Sequence, residues 1–243
     1  MSLIVGLTGQ YVQVKRKKTD EITYGGDQGF FAGGPARSVD ERKHKQGCGI
    51  TALADIFLYL AGRDRNYVIE ENNGCIGRVL SEEEYKRYYN RIYEFVGGIA
   101  AWGNNGLTFV RVQSRFNRMA RREHWYIRAR WGFSAGKLYN RILEMLEKDI
   151  PVALCVPFMV RKKDKGRGTT FYIRRENELI KAASVSAHYV VVTGIIKEKE
   201  CVYLEISSWG KKYYIDWMEY DMLIRTCFLG AILGNILYVR HKG

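Results

Sequence analysis

The sequence predicts an α+β fold, with helices in the first half of the chain and an antiparallel sheet in the second. Up to residue 148, apolar residues recur at helical spacing. After Pro151, short β-branched and aromatic runs are separated by charged or glycine-containing turns. Helices that precede strands, instead of alternating with them, are typical of α+β proteins.

Four helices are predicted in the first half. The first, from Gly49 to Ala61, is almost entirely apolar, and Gly62 is its expected end. The second begins after Ser81, because Ser81 and Glu84 have the spacing of a capping box. A pair of glycines at positions 97 and 98 ends it. The third covers residues 108–122 and is strongly basic, and the fourth covers residues 134–149.

Six strands are predicted after residue 150, because each run is short and rich in β-branched and aromatic residues. They are PVALCVPF, TTFYIRR, AHYVVVTGII, CVYLEISS, KKYYIDW and AILGNILYVR. A short helix, IDWMEYDMLIR, is predicted between the last two strands.

The 243 residues, 47% of them hydrophobic, predict a single domain over residues 1–243. Residues 1–20 form a charged N-terminal arm, and residues 63–148 form a helical insertion without an assigned role. No apolar run reaches the roughly 18 residues of a membrane span, and no signal peptide is visible. We therefore expect a cytoplasmic protein without a membrane span.

Five cysteines are scattered along the chain, without a CxxC pair or a Cys/His cluster at metal-ligand spacing. Their number and spacing predict neither a disulfide framework nor a metal site, and no cofactor is expected. Cys155 and Cys201 lie in apolar strands and are predicted to be small buried residues. Cys48 differs, because it lies between two glycines where a polar run meets the first apolar helix.

The N-terminus of a helix carries unpaired N–H groups and a partial positive charge, which together lower the pKa of a cysteine. The position of Cys48 therefore suits a nucleophile, although a structural cysteine at a tight turn is the more common explanation of such a segment. His188 lies in an otherwise apolar strand, and it is one of four histidines in the chain. If Cys48 has a base, His188 is the candidate.

Three segments resemble papain-like cysteine peptidases. GCGITALADIFLYLAG resembles the nucleophile helix of the branch that cleaves double-glycine leader peptides of bacteriocins, and AHYVVVTGI resembles its histidine strand. EISSWG resembles the Asn-Ser-Trp-Gly stretch of papain-like enzymes, which would make Ser207 the orienting group and Trp209 its shield. YGGDQGFF and the GCG segment also resemble an uncharacterised bacterial family. The resemblance implies a nucleophile helix packed on the sheet and a thiolate–imidazolium pair that hydrolyses a peptide or amide.

The chain departs from the papain-like pattern at two positions. Ser207 stands where those enzymes have Asn or Asp, so the orienting group lacks a carboxylate; Glu205, two residues earlier on the same strand face, is an alternative. Arg42 stands near the usual position of the oxyanion glutamine. Gln46 and Gln28 are the candidates to replace it, and Gln28 requires that the arm fold back.

The basic third helix supports a different function. The chain has a net charge of +13, and the segment from Leu107 to Trp131 contains seven arginines and one glutamate. Four of them share a helix face: Arg111, Arg115, Arg118 and Arg122. Interleaved aromatic residues, Phe116, Trp125, Tyr126 and Trp131, and a basic loop at residues 161–168 complete a pattern typical of nucleic-acid binding. The alternatives to a hydrolase are therefore a degenerate papain-like binding module and a nucleic-acid-binding protein; a solvated helix face over core aromatics is the simplest explanation of the basic patch.

Overall fold

The computed structural model of the chain describes residues 2–99, 106–157 and 168–241. Contacts between residues divide it into two units. The sheet unit consists of Met1–Thr8, Arg130–Ser207 and Lys212–Tyr238, and the helical unit consists of Gly9–Ala129, Ser208–Lys211 and Val239–Gly243. Among the described residues, no helix is long and apolar enough to cross a membrane. The α+β class is confirmed, and the single domain over residues 1–243 stays a prediction.

The helices confirm the four predicted segments and the short predicted helix, and they add two that were missed. They are α1 (Val39–Gln46), α2 (Cys48–Arg63), α3 (Glu82–Phe95), α4 (Phe109–Arg122), α5 (Leu138–Glu147), α6 (Trp217–Thr226) and α7 (Gly230–Leu233). The capping box of α3 is present, since the Glu84 N–H donates to Ser81 Oγ and the Ser81 N–H donates to Glu84 Oε2. Gly62 does not end α2, which continues to Arg63. The short predicted helix is α6.

The strands are β1 (Ser2–Gly6), β2 (Val14–Lys15), β3 (Leu80–Ser81), β4 (Ile127–Trp131), β5 (Val152–Val156), β6 (Thr169–Arg175), β7 (Glu178–Val185), β8 (His188–Glu198), β9 (Cys201–Ser208), β10 (Lys211–Asp216) and β11 (Ile236–His241). All six predicted strands exist, but the AIL at the start of the last one belongs to the helix α7. Strands β1, β2, β3, β4 and β7 were not predicted.

The large sheet has the strand order β4-β11-β5-β8-β9-β10-β6-β7, and β1 also pairs with β8. Strands β5, β8 and β9 are antiparallel neighbours, and β8 is buried from His188 to Ile196. A strand buried on both faces reads as a continuous apolar run, which is why VVVTGII shows no alternation.

In the helical unit, a buried carboxylate connects three segments of the chain. Asp55 of α2 is 2% exposed. Its Oδ2 accepts the Gly26 N–H at 2.9 Å and the Tyr11 hydroxyl at 3.4 Å, and its Oδ1 accepts the Tyr85 hydroxyl at 2.8 Å. A Cβ atom on Gly26 would lie 1.8 Å from Tyr85 Oη, so this position admits only glycine. The YGGDQGFF motif thus has a packing role.

Phe30 and Phe31 of the same motif pack into the core of the helical unit. Both are buried, Phe30 edge-on to Tyr85 and Phe31 against Tyr89 with ring centroids 4.7 Å apart. Asp27 accepts the Gly29 N–H and pairs with Arg16, which closes the arm into a fixed loop.

We expect Asp55→Asn to change how stability depends on pH. Burial raises the pKa of Asp55 from 3.8 to about 6. A carboxyl whose pKa is raised on folding stabilises the protein below pH 3.8, and that contribution is lost as the pH rises through about 6. The shift of about 2 pKa units corresponds to about 3 kcal/mol. Between pH 4 and pH 7, the variant should therefore gain up to about 3 kcal/mol relative to wild type in urea unfolding.

Asp20→Asn is the matched control, because it removes an exposed carboxylate from the same unit. Its stability should follow the wild-type pH dependence. An Asp55→Asn curve parallel to wild type would contradict the assignment.

Candidate active site

Cys48 is the first residue of α2, but the helix does not begin in open solvent. Helix α1 ends at Gln46, and Gly47 between the two helices has right-handed dihedral angles, φ −79° and ψ −3°. Its N–H donates to the Lys43 carbonyl at 2.9 Å. The negative end of α1 thus meets the positive end of α2, and their partial charges oppose each other. The prediction that Cys48 heads the apolar helix is confirmed, but α1 lies directly before it.

Gly47 is required by packing. Its carbonyl accepts the N–H groups of Ile50 and Thr51, and it lies 3.4 Å from the Tyr89 hydroxyl. A Cβ atom here would lie 2.5 Å from Tyr89 Oη and 2.2 Å from the Lys43 carbonyl oxygen. The glycine before the cysteine therefore has a structural cause, whatever the thiol does.

Cys48 lies where α2 reaches the surface. From Gly49 to Ala61 every residue of the helix except Thr51 is buried, whereas Cys48 is partly exposed. Burial raises the pKa of the Tyr89 hydroxyl well above its ordinary value, and the neighbouring Cys48 raises it further. A protonated hydroxyl therefore lies close to a partly exposed thiol, and partial exposure is a property of reactive cysteines.

The two glutamines have different environments. Gln46 and Cys48 are two residues apart on right-handed helical backbone, so their side chains lie on different sides. The buried Gln46 Oε1 has no hydrogen-bond partner among the described residues. Gln28 Nε2 donates to the His44 carbonyl at 2.7 Å, which shows that the arm folds back onto α1. The condition stated for Gln28, that the arm fold back, is therefore met.

The turn that carries Trp209 is bound to the arm within the helical unit. Trp209 has a left-handed backbone, with φ 49°, and its carbonyl lies 3.5 Å from Arg16 Nη2. The Tyr24 N–H donates to the Gly210 carbonyl at 2.8 Å, and the Gly210 N–H donates to the Gly26 carbonyl at 3.1 Å. The SSWG turn and the YGGDQGFF motif, far apart in sequence, are therefore direct neighbours.

In the sheet unit, His188 is the first residue of β8. It follows Ala187, which has a left-handed backbone with φ 53°, and it lies opposite Val156 of β5. Only 7% of its surface is exposed, and burial lowers the pKa of His188 from 6.5 to about 4. The imidazole is therefore neutral at pH 7, which suits a proton acceptor.

Ser207 lies on the other face of the sheet. Along β9 the pairs with β8 run from Cys201–Glu198 to Glu205–Gly194, and a β-bulge then shifts the register so that Ser207 lies opposite Val191. Because side chains alternate along a strand, His188 and Val191 point to opposite faces. Without the bulge Ser207 would have shared a face with His188. The orienting role of Ser207 stays a prediction, and this register counts against it.

Glu205 is on the same strand face as Ser207, as predicted. Its Oε1 lies 3.2 Å from Thr193 Oγ1 and 2.9 Å from Lys212 Nζ. These partners hold the carboxylate on the face away from His188. Ser208, the last residue of β9, leaves the strand on the side opposite to Ser207.

The basic patch is only partly as predicted. Arg122 forms a bidentate ion pair with Glu71, at 2.7 and 2.6 Å, so its charge is neutralised. Three of the interleaved aromatic residues are core residues, namely Phe116, Trp125 and Trp131, whereas Tyr126 is 73% exposed. The three buried rings agree with the simplest explanation of the patch, a solvated helix face over core aromatics, and Tyr126 departs from it. The basic loop at residues 161–168 lies, except for its last residue, outside the described part of the chain.

The prediction that Cys201 is buried was also wrong, since it is exposed at the start of β9, and Cys155 is partly exposed. Asp55 and Tyr89 were missed. A lone acid inside the apolar run ITALADIFLYLA was the signal for Asp55, because a buried carboxylate needs hydrogen-bond donors. Nothing in the sequence pointed to Tyr89, one of three tyrosines on the buried side of α3.

The candidate groups are thus the partly exposed Cys48 in the helical unit and the neutral, buried imidazole of His188 in the sheet unit. No family model, curated protein or solved structure matches the chain. Among the described residues, no group of three or more His, Cys, Asp or Glu side chains could hold a metal ion.

We expect His188→Gln to weaken the loss of stability in acid. A histidine whose pKa is lowered on folding stabilises the protein above pH 6.5, and that contribution is lost as the pH falls through about 4. The shift corresponds to about 3 kcal/mol at most. Between pH 7 and pH 4, the free energy of unfolding should fall by about 3 kcal/mol less in the variant than in wild type.

His241→Gln is the control, because His241 is exposed at the end of β11. That variant should lose stability in acid as wild type does. If His188→Gln behaved in the same way, His188 would not be a buried neutral group.

Proposed function

We propose that the protein is a papain-like cysteine hydrolase, a peptidase or amidase, in which Cys48 is the nucleophile and His188 its base. The observation that carries the proposal is the contrast along α2. Helix α2 is apolar and mostly buried, but its first residue, Cys48, is partly exposed. The hydroxyl of Tyr89 lies near it. The chain order of cysteine, histidine and SSWG turn adds support.

In this proposal His188 is neutral at rest. As Cys48 Sγ attacks the carbonyl carbon of the substrate, its proton passes to the imidazole, and the carbonyl oxygen becomes an oxyanion. The imidazolium then gives this proton to the leaving amine as the C–N bond breaks, which leaves a thioester on Cys48. Water hydrolyses the thioester, with His188 again the base, and the thiol is restored.

Two supporting roles change from the sequence-based assignment. Ser208 replaces Ser207 as the hydroxyl that orients the imidazole, because the bulge in β8 turns Ser207 to the other face. Gln28 is the oxyanion donor, because its amide group has a second N–H besides the one donated to His44.

A catalytically inactive papain-like binding module is the second candidate. The observation that favours it is the backbone between α1 and α2, which remains right-handed through Gly47. A helix that continues another helix offers a cysteine less positive potential than an open N-terminus.

Thiol alkylation distinguishes the two candidates. If His188 takes the proton of Cys48 as the thiol attacks, iodoacetamide should alkylate Cys48 at pH 7 at least tenfold faster in wild type than in His188→Gln, whose labelling should have its midpoint at about pH 8.5. Labelling is followed for each cysteine by peptide mass spectrometry. Cys201, exposed on β9, is the internal reference and should not respond to His188→Gln.

A Cys48 profile that is the same in wild type and His188→Gln would reject the hydrolase and leave the binding module. The matching activity measurement is hydrolysis of a mixed peptide library. Cys48→Ala should reduce cleavage to background, whereas Cys201→Ala should leave it unchanged.

A further inference from the structure

The described part of the chain places a ridge of unneutralised arginines on the helical unit. Arg111, Arg115 and Arg118 share one face of α4, and Arg121 and Arg128 are also exposed or partly exposed beside it. Among the described residues, no carboxylate forms a salt bridge with any of these five. Arg122, by contrast, is paired with Glu71 and Glu123.

The positive charge is concentrated here and not spread evenly. Several basic residues elsewhere in the same unit have acidic partners within 3.1 Å, such as Lys15 with Asp20 and Lys17 with Glu83. The segment 109–131 contains seven arginines and no lysine. Arginine is the side chain that binds phosphate through two parallel hydrogen bonds and stacks on flat rings, whereas simple attraction to a charged surface does not distinguish it from lysine.

The ridge has a rigid support. The opposite face of α4 is buried through Val112, Phe116 and Met119, and Phe116 packs against Trp125 with ring centroids 5.8 Å apart. Helix α4 is also attached to β4 through Asn117. Its Nδ2 donates to the Ala129 carbonyl at 2.9 Å, and its Oδ1 accepts the Ala129 N–H at 2.8 Å.

One exposed aromatic ring accompanies the arginines. Tyr126 is 73% exposed and comes just before β4, while Arg128 alternates with buried residues along that strand. An accessible ring beside unpaired guanidinium groups is the combination that binds unstacked bases and their phosphates. We propose that α4 and the Tyr126–Arg128 segment bind single-stranded nucleic acid, with the arginines on the phosphates and Tyr126 stacked on a base.

The test measures binding of fluorescein-labelled dT20 and U20 to the full chain by anisotropy, from about 50 to 200 mM salt. The variant R111Q/R118Q/R121Q/R128Q should bind at least tenfold more weakly. Its plot of log K against log salt should be flatter by about 3, because each phosphate contact on a single strand contributes about 0.7 to the slope. Tyr126→Ala should weaken binding at least fivefold and leave the slope unchanged.

The matched control, K18Q/R65Q/R87Q/K211Q, removes four exposed positive charges from other segments of the helical unit. It should bind within threefold of wild type, and unchanged thermal unfolding should show that both fourfold variants are folded. Equal losses in the two variants, or no binding of wild type at 50 mM salt, would overturn the proposal. Tighter binding of duplex DNA than of dT20 or U20, unchanged by Tyr126→Ala, would also overturn it. Tighter binding to phosphatidylserine vesicles than to either oligonucleotide would do the same.

Discussion

The helical unit depends on one buried carboxylate. Asp55 is placed inside a helix that is otherwise apolar, and a polar group without partners would be costly there. Its partners come from the arm, through Gly26 and Tyr11, and from α3, through Tyr85. Satisfying this single group therefore fixes two segments against α2, about two turns from Cys48. Helix α2, which begins at Cys48, is therefore fixed by hydrogen bonds to both segments.

The packing of α3 also explains why the YGGDQGFF and GCG motifs require glycine. Gly26 must be glycine because Tyr85 occupies the space of a side chain, and Gly47 must be glycine because Tyr89 does. Both tyrosines belong to α3. Both glycines are thus explained by packing, and the functional case rests on the thiol and the imidazole themselves.

The sequence predicted the elements whose signal is local. Apolar periodicity located α2, α4 and α5, and the Ser81–Glu84 pair located the start of α3. Helix α1 was missed because it is polar and buries only Lys43. The face of Ser207 could not be predicted, because it depends on a single extra residue in β8. A shift of one residue moves every following side chain to the other face, and no local pattern marks this bulge.

Asn117 has a consequence beyond its attachment of α4 to β4. Strand β4 ends the large sheet, and the backbone of an end strand can add a strand from another molecule. The carboxamide of Asn117 presents one acceptor and one donor to Ala129, as a neighbouring strand would. The Asn117 side chain thus makes the two hydrogen bonds that the backbone of an added strand would make. At Ala129 it blocks the pairing through which copies of this chain could join into a continuous fibre.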